Sequence, residues 1–177
     1  MKKIMYLLVV LFVVLLGAFG CQQKKEEKSQ VVYTPQSMPS PMEIERLQQA
    51  AKSAPKSAEA WTSLGDMLMD SQRFGEAIDA YDKSLALNPK NVNVLVDQGT
   101  CYRGVGKFDK AVEQYRKAIK IDPTFPNAHR NLAVVLANDL HDTKQAIPEF
   151  RKYLELVPDA KDADTIKQMI KDLSGGK

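Results

Sequence analysis

The side chains best suited to chemistry are few and scattered along this chain. There are two histidines, His129 and His141, and two cysteines, Cys21 and Cys101. Neither histidine has a cysteine, histidine or carboxylate at metal-ligand spacing on its own helix face. The stretch RGVGK at 103–107 lacks the G-x-x-x-x-G-K-[ST] spacing of a phosphate-binding loop. These residues predict no catalytic centre, no metal site and no cofactor, so we expect a protein that is not an enzyme.

A repeated pattern sets the elements that position these residues. The same nine-residue ending occurs three times, as YDKSLALNP, YRKAIKIDP and FRKYLELVP. Upstream of each ending, residues at i, i+3, i+4 and i+7 form one packing face of a helix. In the first copy these are Trp61, Leu64, Gly65 and Leu68. A second helix follows, with a small residue, an aromatic four positions later and a closing proline, which here are Ala77, Tyr81 and Pro89.

This pattern resembles the tetratricopeptide repeat, a 34-residue helix pair with W, L-G, Y, A, F and P at fixed positions. The resemblance implies an all-α fold, a right-handed α-α superhelix with three helix pairs at 58–91, 92–125 and 126–160. A half repeat at 42–57 precedes them, and a capping helix with its tail at 161–177 follows. One pair cannot bury both of its faces, so the units stack and the end helices cap the stack.

The third unit departs from the pattern because it is one residue longer. Thr143 stands where the other units have phenylalanine, and Asp142 or Thr143 could cap the second helix. Pro148 is expected to be tolerable only if it lies near the first turn of that helix. The helix alignment across 139–148 is left open.

The repeat register assigns structural roles to the residues that could do chemistry. His129 falls on a packing position, which predicts a core imidazole, and His141 falls in a solvated turn. Cys101 aligns with apolar residues, which predicts a small buried hydrophobe. Gly65 is expected to meet Ala77 across its helix pair, so a leucine at Gly65 should cost about 1–3 kcal/mol through overpacking.

The first twenty residues, 1–20, form a separate apolar leader, with two lysines followed by an uninterrupted apolar run. The junction GAFGC resembles a bacterial lipobox, which implies cleavage before Cys21 and lipid attachment to its sulfur. The expected location is the outer side of the cytoplasmic membrane, or the outer membrane facing the periplasm in a Gram-negative cell. Ala18 and Phe19 depart from the usual lipobox, so an uncleaved N-terminal signal anchor is the alternative. Residues 21–41, rich in proline, serine and glutamine, predict a flexible linker.

Charge gives no support for nucleic acid as a partner. The formal net charge is +3, and no cluster of lysine or arginine is larger than a pair. Basic residues are also not interleaved with aromatics, as they are on many nucleic-acid surfaces. The apolar leader and the resemblance to a lipobox instead imply envelope proteins as partners, together with the membrane that holds the acylated Cys21 or the apolar leader.

The resemblance implies that the first helices line a concave groove in which a peptide or a helix docks. The candidate groove residues are Thr62, Asp66, Met69, Asn93, Val96, Asp97, Thr100, Arg103, Asn127, Arg130, Asn131 and Val134. Their amides can pair with a bound backbone, and Arg130 can bind a carboxylate. The lysine and asparagine clamp of the family's chaperone-tail readers is not expected, because Thr62, Asp66 and Asp97 occupy three of its positions.

The expected function is a non-enzymatic interaction scaffold or adaptor tethered to the bacterial cell envelope. The alternatives are an assembly factor for pili, outer-membrane proteins or cytochrome c, or a regulator of an envelope enzyme. The sequence does not identify the partner.

Overall fold

The computed structural model of this chain describes residues 40–175. Within that range the regular structure is helical, in eight α-helices: α1 Pro41–Ser53, α2 Ala58–Asp70, α3 Phe74–Leu87, α4 Val92–Gly104, α5 Phe108–Ile121, α6 Pro126–Val134, α7 Thr143–Leu156 and α8 Ala163–Gly175. The leader at 1–20 and the linker up to residue 39 lie outside the described residues, and so does the lipidation predicted at Cys21. None of the helices in 40–175 is both long enough and apolar enough to cross a bilayer.

The helices pack as successive pairs. The helices α2 and α3, then α4 and α5, then α6 and α7 pack against each other, and each pair also packs on the next. The helix α1 packs on α2 at one end of the stack, and α8 packs on α7 at the other. This arrangement confirms the predicted all-α superhelix of stacked helix pairs.

Side-chain caps begin several of the helices where the sequence offers them. Ser57 accepts a hydrogen bond from the backbone N–H of Ala60, and Asn91 accepts one from Val94. Such caps satisfy N–H groups that have no partner within the helix. They fix where α2 and α4 begin, and therefore which side chains face the core.

The core is built from the repeated positions. Trp61, Leu64 and Leu68 of α2 are buried, and the aromatic rings of Tyr81, Tyr115 and Phe150 are almost fully enclosed. The structure corrects the nearest neighbour expected for Gly65. A Cβ at Gly65 would overlap the ring of Tyr81, which lies closer than Ala77. At Gly99 a Cβ would likewise come within 2.6 Å of a ring carbon of Tyr115. The small residue is required because the aromatic ring of the second helix packs directly against the first helix at this position.

The first helix of each pair ends in the same tight turn. Gln72 and Gly106 have left-handed backbones, with φ of 58° and 71°. The following N–H groups, from Arg73 and Lys107, reach back five residues to the carbonyls of Leu68 and Tyr102, at 2.8 and 2.9 Å. This is the Schellman arrangement that closes a helix.

The additional residue of the third unit is absorbed inside its first helix. After α6 the chain continues as a π turn, Val135–Asp139, in which the Leu140 N–H reaches the Val135 carbonyl at 3.0 Å. A π turn has one residue more than an α turn. His141 then takes the left-handed position, with φ of 55°. The alignment across 139–148 is thereby resolved, with the insertion in the helix and the turn conserved in shape.

The second helix of the third unit is capped by Asp142, one of the two capping residues expected from the sequence. The Asp142 side chain accepts a hydrogen bond from the Gln145 N–H at 3.0 Å, and α7 starts at Thr143. The expectation for Pro148 is wrong, because this proline is the sixth residue of the helix and α7 continues through it. Lys144, whose carbonyl loses its N–H donor, is exposed together with Pro148, so water can replace the missing hydrogen bond.

The two end helices are apolar on one face only. In α1, Ile44 and Ala51 are buried, whereas Glu43 and Arg46 stand where the first full repeat has Ala77 and Ala80, and they form an exposed ion pair. In α8, Ala163 and Ile166 are buried, and Asp164 pairs with Lys167 in solvent. Each end therefore covers the neighbouring pair and presents charge to water.

Candidate functional site

The groove residues differ widely in how accessible they are. Asn93 and Asn127 are exposed, and Asn131 and Val134 are partly buried. Val96 is only 5% exposed and belongs to the core. The structure therefore leaves the asparagines available to a partner and removes Val96 from the surface.

In the first helix pair, the groove side chains of α2 are hydrogen-bonded to buried residues of α3. The Tyr81 hydroxyl donates a hydrogen bond to Asp66 at 2.8 Å, and it lies 3.9 Å from the Met69 sulfur. The Thr62 hydroxyl is 2.7 Å from that of Ser84. Because Tyr81 and Ser84 are fully buried, they fix the orientation of the groove side chains above them.

Three carboxylates, Asp66, Asp70 and Asp97, form an acidic cluster in this part of the groove. Burial raises the pKa of Asp97 to about 6, and the charges of Asp66 and Asp70 add to that rise. Burial also raises the pKa of Asp66; the Tyr81 hydrogen bond opposes the shift and Asp70 reinforces it. Within residues 40–175 neither Asp66 nor Asp97 has a salt-bridge partner. The cluster is thus a region of uncompensated negative charge.

The same construction recurs one unit further along the groove. The Thr100 hydroxyl lies 3.2 Å from the Tyr115 hydroxyl and donates to the Val96 carbonyl at 3.1 Å. Burial raises the pKa of Tyr115 to about 12, so its hydroxyl stays protonated at neutral pH. In the third unit the aromatic is Phe150, which has no hydroxyl to offer. The third pair therefore lacks the hydrogen bond that Tyr81 and Tyr115 make to a groove side chain in the first two pairs.

At the downstream end the two groove arginines are already paired within the chain. Arg103 contacts Asp139 at 2.5 Å, and Arg130 contacts Asp162 at 2.6 Å. Asp162 also accepts a hydrogen bond from the Tyr153 hydroxyl at 2.7 Å. The positive charges of Arg103 and Arg130 are therefore neutralised within the chain, so the charges left unpaired in the groove are those of the acidic cluster.

The predicted core imidazole is confirmed. His129 is 5% exposed, and its Nε2 donates to the Pro123 carbonyl at 2.9 Å, since a carbonyl can only accept. The bond matches the one that the Trp61 indole N–H makes to the Pro55 carbonyl at 3.1 Å. The other ring nitrogen, Nδ1, lies 2.6 Å from Glu149. His129 therefore holds the packing role of the tryptophan it replaces.

The remaining residues considered for chemistry also take structural positions. Cys101 is fully buried, and burial together with Asp97 raises the pKa of its thiol to about 12. His141 is exposed in the turn after the π turn. In the described part of the chain, no three histidine, cysteine or acidic side chains are arranged to hold a metal ion.

Sequence reasoning missed the groups that hold the groove residues in place. The tyrosines at positions 81 and 115 could have indicated these contacts, because the equivalent Phe150 shows that the ring alone is sufficient for packing. A buried hydroxyl needs a hydrogen-bond partner, and Asp66 and Thr100 were in reach. Asp139 gave no such signal, because its position depends on a turn whose alignment the sequence left open.

Comparisons with known proteins agree with this architecture. Residues 44–92 and 80–113 match the tetratricopeptide repeat family, and residues 99–139 match a family described as TPR repeat. The chain is 29% identical over 101 residues to small glutamine-rich tetratricopeptide repeat-containing protein 2 of Mycosarcoma maydis, covering 57% of this chain and 28% of that protein. It is 28% identical over 81 residues to the Hsp70-Hsp90 organizing protein of Triticum aestivum, covering 46% of this chain and 14% of that protein. The chain thus spans less than a third of the length of these relatives.

A solved structure shows the same fold. The crystal structure of MamA superposes with a TM-score of 0.69 at 19% sequence identity, covering 75% of this chain and 77% of that one. At this identity the similarity establishes the arrangement of the helices.

Proposed function

Because this chain belongs to the tetratricopeptide repeat family, we propose that it is a non-enzymatic protein-protein interaction scaffold that binds a partner segment in its concave groove. The observation that carries the proposal is the way in which the groove is built. Its side chains are oriented by buried groups beneath them, as Asp66 is by Tyr81, while Asn93 and Asn127 remain exposed. A surface oriented before binding loses less conformational entropy when a partner docks.

We further propose that the scaffold is tethered to the bacterial cell envelope. This rests on the apolar leader at 1–20 and on the lipobox-like junction at Cys21. The anchor is the acylated Cys21 on the outer side of the cytoplasmic membrane, or on the outer membrane facing the periplasm in a Gram-negative cell. An uncleaved signal anchor is the alternative. Tethering confines the scaffold and a membrane partner to a thin layer, which raises their effective concentration.

Photo-crosslinking from the groove tests the binding proposal. A photoreactive residue at the exposed Asn127, in the full chain in native membranes, is expected to capture a discrete envelope protein. The same residue at Lys117, which is exposed on α5, serves as the matched control. Reversing a groove charge with Asp97→Lys should lower the capture at Asn127 on the order of tenfold, because a partner that meets the acidic cluster with positive charge would then face a like charge, which suppresses binding.

Two outcomes contradict groove binding. One is equal capture from Asn127 and Lys117, which would indicate non-specific proximity. The other is a capture at Asn127 that does not respond to Asp97→Lys, which would place the contact outside the groove.

Replacing Cys21 tests the tether. The Cys21→Ser variant is expected to lose metabolic labelling by fatty acid and to keep its leader, because the acylated sulfur is required before a lipoprotein leader is removed. A wild type that is unlabelled, and a variant of the same mass and membrane location, would instead establish the uncleaved anchor. Cys101→Ser is the control, since Cys101 is buried in the core.

A further inference from the structure

Asp162 lies in the turn immediately before α8, where an aspartate normally caps the helix it precedes. Elsewhere in this chain such residues do so, as Asp142 does by accepting a hydrogen bond from the Gln145 N–H. The two carboxylate oxygens of Asp162 instead accept from Arg130 on α6 and from Tyr153 on α7. Asp162 therefore links the start of α8 to the groove residue Arg130, and its side chain does not cap α8.

Arg130 is the groove residue best suited to bind a carboxylate, and Asp162 occupies it. The Nε of Arg130 lies 2.6 Å from Oδ2 of Asp162, while Oδ1 of Asp162 accepts the Tyr153 hydroxyl at 2.7 Å. Guanidinium and carboxylate groups match each other in charge and in hydrogen-bond geometry. A carboxylate of the same chain thus already occupies the Nε of Arg130, one of the donors that a partner's carboxylate would use.

We propose that Asp162 is a built-in ligand of Arg130, which closes the downstream end of the groove until a carboxylate of the partner protein takes its place. This inference rests on the proposed function, because it specifies how a partner gains access to that same groove. The partner group is a side-chain or C-terminal carboxylate.

The exchange is favoured by the exposure of both groups. The side chains of Arg130 and Asp162 are 40% and 29% exposed. Ion pairs this open to solvent contribute little to stability, so a second carboxylate can replace the first at small cost.

Release of Asp162 does not require α8 to leave the stack. Ala163 and Ile166 are buried against the preceding pair, and Met169, Ile170 and Leu173 pack against the same core. The change is therefore confined to the first turn of the helix and its connection to α7.

The test compares capture by a photoreactive residue at Asn127 between the wild-type full chain and its Asp162→Asn variant. The variant is expected to increase capture about two- to fivefold, the gain from freeing one exposed ion pair. The matched control is Asp164→Asn, which removes a carboxylate from the same helical turn. Asp164 is 96% exposed and pairs only with Lys167 among the described residues, so capture should stay at the wild-type level.

Hydrogen exchange at the first turn of α8 supplies a second readout that needs no partner. Asp162→Asn is expected to speed exchange of those amides several-fold, and Tyr153→Phe should do so to a smaller extent. Unchanged exchange in Asp162→Asn would show that the contact does not fasten the helix, and would overturn the proposal. Faster exchange without any gain in capture would also overturn it, because the contact would then be purely structural.

The failure of this inference differs from a failure of groove binding. If capture occurs in the wild type and is equal in Asp162→Asn, the proposal of a built-in ligand is wrong and groove binding is retained. Absence of capture in the wild type and in every variant removes both proposals.

Discussion

Replacing Gly65 by alanine is expected to lower the free energy of unfolding by about 1–3 kcal/mol, the usual cost of overpacking a core. The added Cβ would overlap the ring of Tyr81. That ring is fully buried, and its hydroxyl is bonded to Asp66, so it has little freedom to move aside. Urea unfolding followed by helical circular dichroism measures the effect.

Gly75 provides a control in which the same chemical change should have the opposite sign. It lies in α3 with nothing within 4 Å of its added Cβ. Gly75→Ala should therefore stabilise the fold by about 0.4–1 kcal/mol, because alanine restricts the unfolded chain. Equal effects at the two glycines would show that the Tyr81 contact is not what excludes a side chain at Gly65.

The Asp97→Asn variant is expected to be more stable than the wild type by about 1–2 kcal/mol at pH 7.5. The folded pKa of Asp97 is raised to about 6, from a model-peptide value near 3.8, mainly by burial. A raised pKa means that ionisation destabilises the fold, at about 1.4 kcal/mol per unit before allowance for solvent on the open side of the groove.

The sign of the pH dependence follows from that shift. Stability associated with protonated Asp97 is fully present below about pH 4 and is lost as the pH rises through about 6. The advantage of the asparagine variant should therefore disappear as the pH is lowered from 7.5 to 4. Thermal unfolding at several pH values measures this difference.

Asp164 is the control for this second prediction. Its carboxylate is exposed, and the hydrogen bond from Lys167 lowers its pKa. Asp164→Asn should consequently be no more stable than the wild type at pH 7.5. If both variants gain stability equally, the gain comes from net charge and not from the position of Asp97 in the groove.

The sequence was most informative where one residue type repeats at one position. Most equivalents of Trp61, Leu64 and Leu68 in the other units are apolar, the exceptions being the buried Gln98 and His129. This periodicity suffices to predict the helix pairs and their stacking. His129 and Cys101 could be placed in the core for the same reason. Packing positions are predictable because they are set by helix geometry, which is identical in each unit.

The polar contacts of the groove were much less predictable. The ion pair of Arg130 with Asp162 joins residues 32 positions apart and depends on how the chain turns before α8. The ion pair of Arg103 with Asp139 depends on the π turn, which the sequence did not reveal. Such contacts arise from the exact placement of long side chains, whereas periodicity reports only which face of a helix is buried.

The charged outer faces of α1 and α8 bear on polymerisation. Joining one molecule to the next end to end would bury the exposed pairs Glu43–Arg46 and Asp164–Lys167. Burying ion pairs costs more desolvation energy than their attraction usually returns. A head-to-tail contact of this kind would also not close into a ring unless its rotation fits, and would otherwise grow into a fibre. The two end helices therefore disfavour the end-to-end stacking of one copy on another.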